Sequence, residues 1–334
     1  MADERFLAIK LGSLGDLVFT LPAVAALRQA HPEARIDWVV DRRWYPLLEG
    51  NPDVNEIVIL DHGSTAAFLF TGWRLRNAGY RCAIDFQGLY KSALLARLTG
   101  APERLGFSRR YAREAAASLV YTRRVTPSRP HMVHQNLALV EPLGARNSQY
   151  RFPLRVRPAA EALLQSKLES AGLEDFFVLS PGGGWRSKCW PPERFGALHR
   201  ELARRTGLRG VISYAPNERP LAEAARRAAG APEPAVLDLD VAQLMALVRR
   251  ARLVVAADSG PLHLAVALGT PVVGLYGPTA PERNGPFNPA DIVVRNAGPG
   301  ETTLRRGNRY SPGMLSITVE QVVAAATRRL EIAR

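Results

Sequence analysis

The chain has 334 residues, 47% of them hydrophobic and 22% charged, which excludes a disordered tail protein and makes two domains the natural expectation. Its formal charge of +13 points to an anionic partner, whether nucleic acid, acidic lipid or a phosphorylated small molecule. Two cysteines without C-x-x-C spacing exclude a disulfide framework and fit a reducing cytoplasm, the N-terminus does not read as a secretory signal, and no run of about 18 apolar residues spans a bilayer.

Short apolar runs alternate with stretches of helical length, as a parallel sheet covered by helices requires. Arg5–Leu11 and Ile36–Val40 are the first predicted strands, with a helix over about Leu17–Ala30 between them, where Pro22 is early enough to be tolerated or to bend the helix slightly. The first strand ends in Lys10-Leu-Gly-Ser-Leu-Gly-Asp16. Gly12 and Gly15 permit a tight turn, and Asp16 at the helix start either caps exposed N–H groups or acts as a general base. The G-x-x-G spacing is not a dinucleotide fingerprint. Val54–Leu60 and Cys82–Phe86 continue the strands, while Leu89–Leu98 and Met132–Leu143 are helical. Seven arginines (104, 109, 110, 113, 123, 124 and 129) face one acid, Glu114, between Arg104 and Arg129, as a solvated face or as a surface for an acidic ligand.

Near Gly144–Pro158 the pattern changes to a polar, Arg- and Pro-containing linker, and then the alternation restarts. Strands are predicted at Phe176–Ser180, Gly210–Tyr214, Ala235–Leu237, Leu253–Ala257 and Pro271–Tyr276. Helices fall near Pro192–Arg205, Arg219–Ala229, Val241–Arg250 and Leu262–Leu268, with a last one over about Val319–Ile332 that would pack back on the first domain. Two doubly wound domains would bring the carboxyl ends of their strands to a shared crevice, where such sheets bind ligands. The loop Ser180-Pro-Gly-Gly-Gly-Trp-Arg-Ser-Lys188 is either a flexible turn or an anion cradle built on Gly183 and Gly184. In Asp258-Ser-Gly-Pro-Leu-His263 a strand meets a helix N-terminus, whose N–H groups at Ser259, Gly260 and Leu262 suit a diphosphate, with His263 able to donate beside them. Glu218 opens another helix, as a cap or as a ligand for a ribose hydroxyl pair.

Four motifs occur in order: Gly15-Asp-x-x-x-x-x-Pro22, Lys188-x-Trp-Pro, Asp258-Ser-Gly-x-x-His263 and Tyr276-Gly-Pro-Thr279. Together they resemble glycosyltransferase family nine, the ADP-heptose heptosyltransferases of the lipopolysaccharide inner core. The resemblance implies an α/β, GT-B fold of two doubly wound Rossmann-like domains facing a central crevice: residues 1–150 bind acceptor, 151–318 bind the ADP-sugar, and 319–334 form the returning helix. It also implies an inverting mechanism with ADP-L-glycero-β-D-manno-heptose as donor. The stretch Asp85-Phe-Gln-Gly-Leu-Tyr-Lys-Ser, with Leu105-Gly-Phe and Tyr111-Ala-Arg-Glu-Ala-Ala-Ala-Ser-Leu, is similar to the heptosyltransferase I type, which implies Kdo-lipid A as acceptor.

On this reading Asp16 is the base and Lys188 the catalytic cation. Donor is held by Gly183, Gly184, Lys188, Glu218, Asp258, Ser259, Gly260, Leu262 and His263, and acceptor by Lys10, Gly15, Lys91, Arg110 and Arg113. No metal or other cofactor is obligatory, although magnesium on the diphosphate would be stimulatory. The implied partners are ADP-heptose, an acidic glycolipid and the inner-leaflet membrane surface, with no nucleic acid, for a monomer that is cytoplasmic and peripheral on the inner membrane. Other acceptors, as in heptosyltransferase II, are the nearest alternative. A sugar-nucleotide epimerase is more remote, and a nucleic-acid-binding module lacks an interleaved basic and aromatic surface.

Overall fold

A parallel strand covered on both faces must be apolar along its whole length rather than at alternate positions. The run Phe6-Leu7-Ala8-Ile9, in which every side chain is fully buried, meets that condition. In the computed structural model, which describes residues 4–61, 64–146, 150–298, 300–303 and 305–333, it forms the centre of the first of two parallel six-stranded sheets.

The chain divides into two compact units, 4–155 and 156–333 over the described residues. In the first unit the strands are β1 (Arg5–Ile9), β2 (Arg35–Asp41), β3 (Glu56–Leu60), β4 (Cys82–Asp85), β5 (Glu103–Phe107) and β6 (Arg123–Val125), in the order β3-β2-β1-β4-β5-β6. Register is fixed by pairs such as Phe6 with Ile36 on one side and Cys82 on the other. In the second unit they are β7 (Phe176–Ser180), β8 (Arg209–Ser213), β9 (Ala235–Leu237), β10 (Val254–Ala257), β11 (Val272–Tyr276) and β12 (Ile292–Arg295), in the order β12-β11-β10-β7-β8-β9. Both sheets therefore have the same doubly wound topology. Strand order reverses between β1 and β4 in the first and between β7 and β10 in the second, which opens a ligand crevice beyond the carboxyl ends of those strands.

Helix limits follow local chemistry. Val241–Arg250 starts at an Asp240 cap that accepts from the Gln243 N–H at 2.8 Å, and Pro192–Thr206 stops at Gly207, whose φ of +72° suits glycine. The helix expected over Leu17–Ala30 is instead two, Leu14–Val18 and Leu21–Ala30. Pro22 has no N–H to give to Val18 four residues before it, and other carbonyls at the break find side-chain donors. The Thr20 hydroxyl donates to Asp16 O at 2.8 Å, and the Asn136 amide donates to Phe19 O at 2.9 Å.

The C-terminal helix is Val319–Ile332. Its buried face, Val322, Val323, Ala325 and Ala326, belongs to the core of the second unit with Phe195, Val273 and Leu275, and Arg329 donates to Asp291 at 2.9 Å. The helices Thr65–Arg76 and Pro158–Ser170 and the strands β5, β6 and β12 are additional to those expected.

Candidate active site

In the first unit the loops after β1 and β4 are tied together at the point where strand order reverses. Lys10, buried, donates from Nζ to Phe86 O at 2.9 Å, and the Leu11 N–H donates to Gln87 Oε1 at 3.0 Å. Gly12 has to be glycine, because a Cβ there would lie 2.6 Å from the Trp44 indole nitrogen. Asp16 follows, half-buried, with Oδ2 accepting from the Ser13 N–H at 3.1 Å and the Ser13 hydroxyl at 3.2 Å. Burial opposes the charge on Asp16. Lys10, the Ser13 N–H, Arg113 and the Ser13 hydroxyl outweigh it and hold the carboxyl below the usual carboxylate range. The result is an ionised carboxylate at a sheet switch point, as a base for a hydroxyl proton requires.

The β4 loop is shaped from beneath by Asp85, which the motif reading quoted without a role. Its Oδ1 accepts from the N–H groups of Gln87 (2.8 Å) and Gly88 (3.2 Å), and its Oδ2 from the hydroxyls of Ser92 (2.8 Å) and Tyr121 (2.7 Å). Burial pushes this carboxyl up, against those four donors. Tyr121 reaches it only because residue 106 is glycine: a Cβ at Gly106 would stand 2.2 Å from the tyrosine ring.

The second unit gathers its charges in the same topological place. After β7, the Gly182–Gly184 loop leads into a single turn at Arg186–Lys188, and Lys188 is buried with Nζ 3.0 Å from Asp258 Oδ2 and 4.4 Å from the centre of the Trp185 ring. Asp258, after β10, also takes His263 Nε2 at 2.9 Å on Oδ1, while the Asn284 amide lies 3.3 Å from Oδ2. Burial again opposes the carboxylate, but His263 and Lys188 hold it well below the usual range. Beside them the helix Gly260–Ala267 starts at Ser259, whose hydroxyl is buried without a partner. The N–H groups of Gly260 and Leu262 fall in the first turn, where a helix provides no acceptor of its own. A buried cation and a histidine thus flank the Asp258 carboxylate beside a helix N-terminus, donors of the kind that bind anions.

Glu218 meets the Gly182–Gly184 loop from the loop after β8. Its Oε2 accepts from the Ala215 N–H at 3.2 Å and its Oε1 from the Gly184 N–H at 3.4 Å. Gly182 makes room for it, since a Cβ there would lie 1.9 Å from Oε2. Gly183 backs onto Lys188 and Cys189.

The residues grouped on the acceptor side are less uniform. Gly15 is buried in the Asp16 helix, and Arg110 and Arg113 are exposed, with Arg113 close enough to act on Asp16. Lys91 lies with its ammonium 5.3 Å from the Phe68 ring. The run of seven arginines is not one open face. Arg104 bonds Val120 O and Ala101 O, Arg124 bonds Ser118 O, and Arg123 pairs with Glu103, so these three brace the outer edge of the sheet. Residues 147–149, inside the expected linker, lie outside the described residues.

Residues 71–313 match the model of glycosyltransferase family 9 (heptosyltransferase). The chain belongs to glycosyltransferase family 9. It is 32% identical to lipopolysaccharide heptosyltransferase 1 of Pseudomonas aeruginosa, over 92% of this chain and 88% of that one. Among solved structures, Escherichia coli heptosyltransferase WaaC with ADP superposes with a TM-score of 0.73 at 26% identity, covering 98% of this chain and 99% of that one. Escherichia coli ADP-heptose lipopolysaccharide heptosyltransferase II gives 0.83 at 22%, covering 98% and 99%, a likeness of fold. The family 9 chain is accordingly a glycosyltransferase of GT-B fold. Within it, the four motifs named from the sequence fall on the loops after β1, β7, β10 and β11.

Proposed function

We propose that this glycosyltransferase moves L-glycero-D-manno-heptose from ADP-heptose to the Kdo-lipid A inner core of lipopolysaccharide, with inversion at the anomeric carbon. The observation that carries the reading is the junction of Lys188, Asp258 and His263 at the N-terminus of Gly260–Ala267, a site with the chemistry of a nucleoside diphosphate. The relatives named for lipopolysaccharide heptosyl transfer support the sugar and the acceptor class.

In the proposed reaction an acceptor hydroxyl attacks the anomeric carbon from the face opposite ADP. The bond from that carbon to the hydroxyl oxygen forms as the bond to the diphosphate oxygen breaks, and the hydroxyl proton passes to Asp16. Negative charge grows on the departing ADP. Lys188, His263 and the N–H groups of Gly260 and Leu262 stabilise it where it develops, which lowers the barrier rather than merely binding substrate. The proposed step has no obligatory metal ion, with magnesium on the diphosphate stimulatory. Glu218 takes the ribose hydroxyls. In this reading the enzyme is a monomer on the cytoplasmic face of the inner membrane, where a lipid-borne acceptor lies.

The test is a donor-by-acceptor assay, with ADP-heptose set against other sugar nucleotides and Kdo-lipid A against its heptosylated product. ADP release with ADP-heptose and Kdo-lipid A, and little with the heptosylated product, is expected. Transfer only to the heptosylated product would move the acceptor one step along the core, and inactivity with every ADP-heptose pair would overturn the proposal.

A further inference from the structure

The helix Thr65–Arg76 is apolar on two faces, although only one of them is packed. Phe68, Thr71, Gly72 and Leu75 recur at three- and four-residue spacing and are buried, and Gly72 fits directly against Leu98 of the neighbouring helix, Tyr90–Leu98. The opposite face carries Leu69, Phe70 and Trp73, each more than half exposed at 53%, 61% and 62%. The Phe70 and Trp73 rings are tilted at 34° with 6.0 Å between their centres, and Leu69 precedes Trp73 by one turn on the same face. Isolated exposed apolar residues are ordinary, but three large ones on adjoining turns mark a surface that another phase covers.

The chain around the patch helix is basic in sequence. Residues 64–119 hold nine lysines and arginines against Asp85, Glu103 and Glu114, of which Asp85 is fully buried, while Arg74 pairs with Glu56 at 3.7 Å and Arg81 with Glu4. Arg74 and Arg76 are exposed on the same helix, and Lys91 sits over Phe68 on the side that faces Tyr90–Leu98. Tyr90 on that helix and Leu119 beyond it are exposed as well, at 51% and 75%. Aromatic and leucine side chains flanked by arginine and lysine suit an anionic bilayer interface, where rings enter the headgroup boundary and cations meet lipid phosphates. Among the described residues no helix is long and apolar enough to cross a membrane, so the contact would be one of lying on the surface.

We infer that the outer face of Thr65–Arg76, through Leu69, Phe70 and Trp73, docks the enzyme on an anionic lipid surface. This deepens the proposed function and rests on its premise that the acceptor is carried by lipid. The arginine run 104–129 contributes less than its composition suggests, because three of its members brace the sheet.

The experiment is flotation with vesicles of phosphatidylcholine alone or mixed with phosphatidylglycerol, on the full chain and on L69S/F70S/W73S. The wild type should float with the anionic vesicles and not the neutral ones. The triple variant should lose at least about tenfold in bound fraction while its thermal stabilisation by ADP stays at the wild-type value, which shows that it is folded. Equal flotation of both proteins, or no flotation of the wild type with anionic vesicles, would overturn the inference. So would light scattering that shows a wild-type dimer made monomeric by the substitutions, because the patch would then be an interface between copies. Heptose transfer to a deacylated, water-soluble acceptor reports the proposed reaction separately. If the wild type is inactive there yet floats, and the variant does not float, the docking surface stands and the transfer reading fails.

Discussion

Lys188 Nζ and Asp258 Oδ2 lie 3.0 Å apart with both side chains largely buried, so water is a poor substitute partner for either charge. Lys188→Ala therefore does two things. It leaves a buried carboxylate with one cation fewer, lowering stability by about 3–5 kcal/mol, and it removes the proposed charged donor to the diphosphate, weakening ADP about ten- to hundredfold. Thermal melts and calorimetric titration with ADP measure the two effects. Unchanged ADP affinity in a folded variant would contradict the phosphate role.

The same pair sets a pH dependence. Asp258 has a folded pKa depressed below its unfolded value, so its contribution is whole above the unfolded value and is lost as pH falls through the folded one. The difference in unfolding free energy between wild type and Asp258→Asn should be level from about pH 7 to 5 and shrink below about pH 4, the unfolded value being about 3.9. A difference that widened on acidification would have the wrong sign for a depressed carboxylate.

Asp16→Ala should reduce kcat by about 10²–10⁴ while ADP affinity stays within about twofold, as befits loss of a general base that does not hold the donor. Because the carboxyl is held below the ordinary range by Lys10, Ser13 and Arg113, the acid limb of the wild-type rate profile should lie below about pH 4. Near-wild-type turnover in the variant would remove Asp16 from the reaction.

Tyr121→Phe takes one of four donors from a fully buried carboxylate and should cost about 1–3 kcal/mol in chemical denaturation. Gly106→Ala displaces the same ring and should cost at least as much. Tolerance of both would mean that Asp85 is satisfied some other way.

If Glu218 takes the ribose hydroxyls as proposed, Glu218→Ala should weaken ADP about tenfold or more. Gly182→Ala pushes the same carboxylate from its place, so the double variant should be no worse than Glu218→Ala alone. Additive losses would separate the two residues.

Most of the sheet framework was legible because parallel strands covered on both faces are unbroken apolar runs, and the site loops because glycine and aspartate follow those runs directly. Of the edge strands, β3 and β9 were legible, but β6 and β12 were not, nor was β5 beside β6. β6 is Arg123-Arg124-Val125, whose exposed arginines give no apolar signal, and β5 begins with Glu103 and Arg104. Nor does local pattern reveal that Tyr121 answers Asp85, 36 residues away, or that Lys188 answers Asp258, when each was readable only as a separate polar residue in a loop. The break at Thr20 was foreshadowed by Pro22 alone. The exposed apolar face of Thr65–Arg76 has no distinctive period, since apolar residues on both its faces blur the one-sided pattern of an amphipathic helix.

Because both sheets reverse strand order at β1/β4 and β7/β10, the residues offered for chemistry sit on segments that leave a strand rather than within one. Inheritance can thus treat framework and reactivity as separate traits. Replacing the loop after β4 or after β7 would change the groups offered for chemistry without re-pairing a strand.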